Sequence, residues 1–190
     1  MATNFLVHSW SDLTAHMLCM AEQIQSRSEK PDLIIAIARG GLTIAHILSD
    51  LLKLPVASFT VSSYSELKRK DELKMLFELG GRLDGRHVLL VDDVSDSGRT
   101  FTRATRYLLK NGAAKITTAA VFTKPNTEFP PDVFVEQTDK WIIFPFDLLE
   151  NLRDIRKGWR EEKITEEVIL RRFSKMKIPR VYLKLLLFEP

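Results

Sequence analysis

The chain of 190 residues contains a single cysteine, Cys19. An internal disulfide is excluded, and so sparse a use of thiols points to a reducing compartment. Cys19 lies in a helical pattern beside Met17, Leu18 and Met20, where a packing role is expected of it. Long hydrophobic runs are missing as well. No segment approaches the roughly 20 apolar residues of a membrane span, and the N-terminal stretch lacks the basic-then-apolar order of a signal segment. The expected location is the cytoplasm, with no membrane span. Excess charge of one sign is also absent: the formal net charge of +3 is too small to argue for nucleic acid by itself. Neither G-x-x-x-x-G-K-[ST] nor G-x-G-x-x-G occurs, which excludes the common nucleotide-binding loops. His8, His16, His46 and His87 have no metal-ligand spacing. No internal repeat or low-complexity segment interrupts the chain. What is present is an apolar fraction of 45%, enough for a real core, in a length that suits one ordinary domain with an appendage.

The apolar patterns alternate in type. Ser9-Trp10-Ser11-Asp12 resembles a capping box and opens a helix whose face includes Leu13, Met17, Met20, Ala21 and Ile24. Leu33 to Ala38, Val56 to Val61, Val88 to Val91 and Ile116 to Phe122 read as strands. Leu42 to Leu52 and Thr100 to Lys110 read as helices, the second closed by Asn111-Gly112. Val133 to Val135 and Trp141 to Phe144 read as short later strands. This alternation predicts an α/β fold with a doubly wound, mostly parallel sheet. Ligands of such sheets bind beyond the carboxyl ends of the strands. Ala38-Arg39-Gly40-Gly41, Ser62-Ser63-Tyr64, Asp92 to Thr100 and Lys124-Pro125 all fall at those ends.

The most informative stretch is Val88-Leu89-Leu90-Val91-Asp92-Asp93-Val94-Ser95-Asp96-Ser97-Gly98-Arg99-Thr100. A buried strand carries two carboxylates to its end, and a turn of small residues leads into a helix. Backbone N–H groups from Asp96 to Thr100 then stand at a helix N-terminus, a ready anion site. A phosphate on those amides, with acids beside it to meet hydroxyls or a metal, describes a cradle for a phosphorylated sugar. Arg39-Gly40-Gly41 adds a guanidinium fork and glycines that let backbone approach a ligand.

This stretch resembles the loop that binds phosphoribosyl pyrophosphate (PRPP) in type I phosphoribosyltransferases, with Ser97 in place of the more usual threonine. The resemblance covers about residues 5–147. It implies that Asp92 and Asp93 hold the ribose hydroxyls and a metal, Mg²⁺. It implies that Asp96, Ser97, Gly98, Arg99 and Thr100 grip the 5′-phosphate, and that Asp96 also faces purine N7 as a proton acceptor or hydrogen-bond partner. Arg39 and Gly40 match the pyrophosphate loop, which in the family often holds a non-proline cis peptide, here between Ala38 and Arg39.

The segment from Ser62 to Arg86 is long for a connection in a compact domain. With Lys68, Arg69, Lys70 and Lys74 it reads as a basic lid that closes over a polyanion and excludes water, although Glu66 to Phe77 also fits an amphipathic helix. Ser63-Tyr64, followed by Glu72-Leu73-Lys74, resembles the catalytic lid of 6-oxopurine phosphoribosyltransferases, especially the bacterial xanthine-guanine enzymes. That likeness assigns Lys74 to pyrophosphate. Asp71 departs from it, standing where those enzymes carry a basic residue. Asp139-Lys140-Trp141-Ile142-Ile143-Phe144-Pro145-Phe146-Asp147 resembles their base-binding segment. Trp141 then stacks on the purine, the Ile142 carbonyl accepts from the C2 substituent, Asp147 closes the segment, and Lys124 donates to O6. A cation beside O6 rejects adenine, whose amino group is a donor.

The expectation is therefore a purine salvage phosphoribosyltransferase, with PRPP and a 6-oxopurine as substrates, assembled as a homodimer or homotetramer. The expected domains are residues 1–147, with a small base-binding hood, and a basic, mostly helical C-terminal extension, 148–190. In the extension, segments from Leu149 and Thr165 read as helices, with Thr165 as a cap. The run Val181 to Phe188 is too apolar to lie free in water and is expected to cover a patch on its own domain or a neighbour. The tail carries none of the residues assigned to chemistry, so its removal is expected to spare purine specificity. Nucleic acid is not expected as a partner. It belongs to the alternative reading, a PRPP-sensing regulator that contacts RNA or DNA through the basic tail.

Overall fold

The structure is a computed structural model that describes residues 4–61 and 75–187. Its strands are β1 (Phe5–Val7), β2 (Leu33–Ala38), β3 (Val56–Val61), β4 (Met75–Phe77), β5 (His87–Ser95), β6 (Lys115–Thr123), β7 (Val133–Gln137) and β8 (Trp141–Ile143). Its helices are α1 (Trp10–Ser26), α2 (Gly40–Leu52), α3 (Arg99–Lys110), α4 (Leu148–Glu161), α5 (Glu166–Lys175) and α6 (Arg180–Leu187). The chain divides into two compact units, one of residues 11–139 and one of residues 1–10 with 140–190. The division falls at 139/140, so residues 140–147 are grouped with the tail.

In the first unit a six-stranded sheet runs β4-β3-β2-β5-β6-β7. All neighbours are parallel except β3 and β4. The mostly parallel α/β fold expected from the strand–helix alternation is therefore present. β4 adds an antiparallel edge strand inside the segment expected to be a lid, and it replaces the end of the helix that Glu66 to Phe77 could have formed. β2 and the first part of β5, Val88 to Val91, are apolar runs because helices cover both faces of such a sheet. Ile35, Ile37, Val88 and Leu90 pack with Phe101, Ala104 and Leu108 of α3. α1 buries Leu13, Met17, Met20, Ala21 and Ile24, the face read from its periodicity. Cys19 is not part of that face. It is an exposed free thiol, because the helical turn that buries Met17 and Met20 carries residue 19 to the solvent side.

The second unit has its own core. β1 and β8 form a two-stranded parallel sheet, and Ile143 of β8 packs with Leu148, Leu152, Ile169, Phe173, Ile178 and Leu186. The apolar run that opens at Val181 is helix α6, and Leu186 is its fully buried anchor. It covers its own unit, one of the two outcomes expected of it. Arg156 is buried. Its Nε donates to Glu166 Oε1 at 2.8 Å, and its Nη1 donates to the Leu186 carbonyl at 2.7 Å. Arg160 grips the other oxygen of Glu166 at 2.9 Å. One carboxylate thus ties α4 to α5, and Arg156 extends the tie to the end of α6. Thr165 does stand at the N-cap of α5, but its side chain makes no capping hydrogen bond. Among the described residues no helix is long and apolar enough to cross a membrane.

Candidate active site

β5 continues past its apolar run. Its ladder with β6 reaches Ser95, with Asp92 opposite Ala120 and Val94 opposite Phe122. The two acids therefore sit inside the strand, not beyond its end, and their backbones are held by the sheet. Each carboxylate is folded back on the following amide: Asp93 N donates to Asp92 Oδ1 at 3.0 Å, and Val94 N donates to Asp93 Oδ1 at 2.8 Å.

The turn after β2 presses against this pair. The peptide bond between Ala38 and Arg39 is cis, as the resemblance implied. α2 begins at once with Gly40 and Gly41. A Cβ on Gly40 would lie 2.4 Å from Asp93 Cγ, and one on Gly41 would lie 2.5 Å from the Val91 carbonyl oxygen. At Gly41 the neighbour is backbone that cannot swing away, so only glycine lets the start of α2 approach β5 there, while a side chain at Gly40 would displace the Asp93 carboxylate. The glycines read from sequence as a ligand loop thus have a second task, to make room for the acids.

The acids are partly exposed yet set deep enough in protein that burial raises both pKa values. Asp92 is held well above the usual carboxylate range, first by burial and then by the charge of Asp93, while the Gly41 amide pulls the other way. Burial also raises Asp93, against the Val94 amide. Two neighbouring carboxyls that resist ionisation are a place where a cation lowers the energy. That chemistry fits Mg²⁺, a hard ion that takes one or two carboxylates and draws its other ligands from substrate oxygens and water. Among the described residues no group of three or more His, Cys, Asp or Glu converges as a metal site, and such an ion needs none.

After Ser95 the chain turns through Asp96, Ser97 and Gly98 into α3. Gly98 is buried, has φ +80° and forms the N-cap. The amide of Thr102 donates to the Gly98 carbonyl at 3.0 Å, so the helix is formed from its first turn and its leading amides point back towards the turn. Asp96 and Arg99 are exposed, whereas Ser97 and Thr100 are half-buried. Lys124 follows β6 directly, and its amide donates to the Ser95 carbonyl at 3.0 Å. Burial lowers the pKa of its ammonium, while Asp96 and Asp139 oppose the shift. The lysine is thus a partly desolvated cation beside the turn that follows β5.

Within this unit Asp92 and Asp93 lie in the last part of β5, and Arg39, Gly40, the 96–100 loop and Lys124 follow the carboxyl ends of β2, β5 and β6. Ser63, Tyr64 and Lys74 lie outside the described residues. Trp141, Ile142 and Asp147 belong to the other compact unit. Trp141 is 52% exposed, and its Nε1 donates to Asn151 Oδ1 at 2.8 Å, which orients the indole. Ile142 is buried beside it. Asp147 is the N-cap residue of α4. Sequence reasoning missed Asp139 as a partner in the field of Lys124, and it missed Thr127 and Phe129, which touch the 95–98 turn. Asn126-Thr127-Glu128 reads as an ordinary polar turn and carries no signal of that contact.

A mostly parallel sheet with a glycine turn, paired acids and a helix N-terminus gathered towards the carboxyl ends of its strands defines an α/β protein of the kind that binds ligands beyond those ends. The phosphoribosyl transferase domain family matches residues 9–151, and the chain belongs to that family. It is 33% identical over 143 residues to a xanthine-guanine phosphoribosyltransferase of Idiomarina loihiensis, covering 74% of this chain and 85% of that protein. It is 37% identical over 117 residues to one from Desulfotalea psychrophila, covering 60% and 69%. Among solved structures, a purine phosphoribosyltransferase from Pyrococcus horikoshii superposes with a TM-score of 0.68 at 34% identity, over 75% of this chain and 93% of that one. The family match ends inside α4, so α5 and α6 lie beyond it.

Proposed function

We propose that the chain is a purine salvage enzyme that transfers the 5-phosphoribosyl group of PRPP to N9 of a 6-oxopurine and releases pyrophosphate. The observation that carries this reading is the acid pair of β5, packed on the Gly40 turn and followed by the anion loop and the desolvated Lys124. The related proteins named xanthine-guanine and purine phosphoribosyltransferases support the same substrates.

The reaction needs no covalent nucleophile. The bond from C1 to the pyrophosphate oxygen breaks, the electron pair leaves with pyrophosphate, and purine N9 forms the new bond to C1. Positive charge grows on the ribose between these events, so catalysis rests on positioning and electrostatics. In this reading Asp92 and Asp93 hold the ribose hydroxyls and face the developing cation. Asp92 and Asp93 would also hold magnesium, which would supply positive charge to stabilise the departing pyrophosphate. The amides of residues 96–100 hold the 5′-phosphate. Arg39 and the Gly40 backbone meet the pyrophosphate, with Lys74, Ser63 and Tyr64 contributing from the lid. Asp96 accepts a proton from the purine at N7, Lys124 donates to O6, Trp141 supplies an aromatic face, and the Ile142 carbonyl and Asp147 complete the base-binding segment. The assembly is a homodimer or homotetramer.

The tail supports the enzyme over the regulator. Arg156 and Arg160 are engaged with Glu166, and the Arg172 guanidinium lies 4.9 Å over the Trp159 ring. Part of the basic character that suggested nucleic acid is thus spent inside the unit. The test is a panel of guanine, xanthine, hypoxanthine and adenine with PRPP, with and without Mg²⁺, read by pyrophosphate release. The expected result is metal-dependent turnover with the 6-oxopurines and little with adenine. Turnover confined to adenine, or binding of PRPP without turnover of any base, overturns the reading.

A further inference from the structure

The phosphate loop does not stand by itself. Ser95, at the end of β5, is 1% exposed. Its hydroxyl donates to the Phe129 carbonyl at 2.9 Å and lies 3.1 Å from Thr127 Oγ1. The Glu128 amide donates to the Ser97 carbonyl at 3.2 Å. Gly98 is pressed onto the same segment: a Cβ there would come within 2.5 Å of Phe129 N and 2.9 Å of Thr127 Oγ1. The Phe129 ring stacks on Phe101 of α3, with centroids 6.1 Å apart and planes 9° from parallel. The segment begins at Lys124, whose amide is bound to the Ser95 carbonyl and whose own carbonyl accepts from the Thr127 amide at 3.2 Å. One six-residue strap, 124–129, therefore carries Lys124 at one end and clasps both sides of the 95–98 turn with the other.

We propose that Thr127 is a positioning residue for the 5′-phosphate: its hydroxyl locks the strap to Ser95 and so fixes the phosphate loop relative to Lys124. The inference rests on the proposed phosphoribosyl chemistry and deepens it. A nucleoside monophosphate has its phosphate and its base at opposite ends, and a loop that grips the phosphate is useful only at a set distance from the group that reads O6. Small misplacements of such groups weaken binding sharply. The strap sets that distance through hydroxyl and carbonyl contacts that leave no mark in either recognition motif.

The test compares the parent with Thr127→Val, which keeps the shape and removes the hydroxyl, and Thr127→Ser, which keeps the hydroxyl. Calorimetry gives the affinity of each for guanosine 5′-monophosphate and for guanosine, and the ratio isolates the phosphate. Thr127→Val is expected to lower that ratio about five- to tenfold, the scale of one lost hydrogen bond. Guanosine affinity should stay unchanged, and KM for PRPP should rise by a similar factor while KM for the base does not. Thr127→Ser is expected to restore the ratio. If Thr127→Val does not fold, Ser95→Ala removes the other hydroxyl and carries the same expectation. A folded Thr127→Val with the parental ratio overturns the positioning role and leaves the enzyme reading standing. A parent with no preference for the monophosphate overturns the phosphoribosyl reading itself, and this proposal with it.

Discussion

The sheet unit and the helical unit hold their important side chains by different means. In the sheet unit, the described residues assigned to chemistry sit in or directly after strands of the sheet. Asp92 is a rung of the β5–β6 ladder and Asp93 follows it within β5, Gly40 opens a helix pressed against Asp93, and Lys124 is bound through its amide to Ser95. In the helical unit, β8 is only three residues long and has one neighbour, β1. Its place depends on Ile143 being buried among Leu152, Ile169, Phe173 and Leu186. A short two-stranded sheet is marginal in isolation and needs such helical cover. The tail is therefore not a detachable appendage. Removing residues 160–190 would strip Phe173 and Leu186 from Ile143, two residues from Trp141, so the expectation that truncation spares purine handling is replaced by one of impaired base use.

The sharpest break between the units comes from Asp92→Asn with Asp93→Asn. Turnover of PRPP should fall by about 10³-fold, the upper range for removing groups preorganised around developing charge. The fold should survive and gain stability at neutral pH, since two buried like charges are removed. Steady-state kinetics beside thermal unfolding checks both halves. Parental turnover in a folded double variant would remove the acids from the site.

Phe173→Ala is the complementary break. Opening the helical core should cost about 3–5 kcal/mol. The three tryptophans, Trp10, Trp141 and Trp159, all belong to the helical unit, and Trp159 lies 5.2 Å from Phe173 between ring centroids. Tryptophan fluorescence should therefore lose its native signal at lower denaturant than far-ultraviolet circular dichroism does. Coincident transitions in the variant would show that the two units unfold as one.

Lys124→Ala should lower kcat/KM for 6-oxopurines by about 10²-fold, the scale of 2–3 kcal/mol for a hydrogen bond from a charged donor. Unfolding should be nearly unchanged, because burial already disfavours the lysine charge. A variant that keeps its preference for 6-oxopurines over adenine would remove Lys124 from base selection.

The smallest effect is in pH. Folding raises the pKa of Asp92 and of Asp93 above the ordinary aspartate value of 3.8. The folded chain thus holds those protons more tightly than the unfolded chain. Between about pH 4 and the raised folded values, these two groups make stability fall as pH rises. Saturating Mg²⁺ with PRPP should flatten that slope. Denaturant melts of the ligand-free chain and of the double Asp→Asn variant across this range check it: the variant should lack the contribution.

Much of this architecture can be read from local pattern. The order of β2, α2, β3, β5, α3 and β6, the buried face of α1, and the acid pair leading through a small-residue turn into α3 all follow from short stretches of sequence, whereas the cis peptide before Arg39 is legible only through the family resemblance. Burial period, turn chemistry and helix capping are set by neighbours a few residues apart, so they leave a local trace. The features that escaped are those whose partners are distant. β1 is three residues that acquire their identity from β8, more than 130 positions away. β5 extends through its acids because β6 supplies a ladder there, not because aspartate favours a strand. Cys19 looks like a core residue until the helix is rotated into place. Thr127 reads as a turn residue, and it meets Ser95 only when β5 and β6 end side by side. Pairings of this kind are sums over groups brought together by folding, and no window of the chain contains both halves of them.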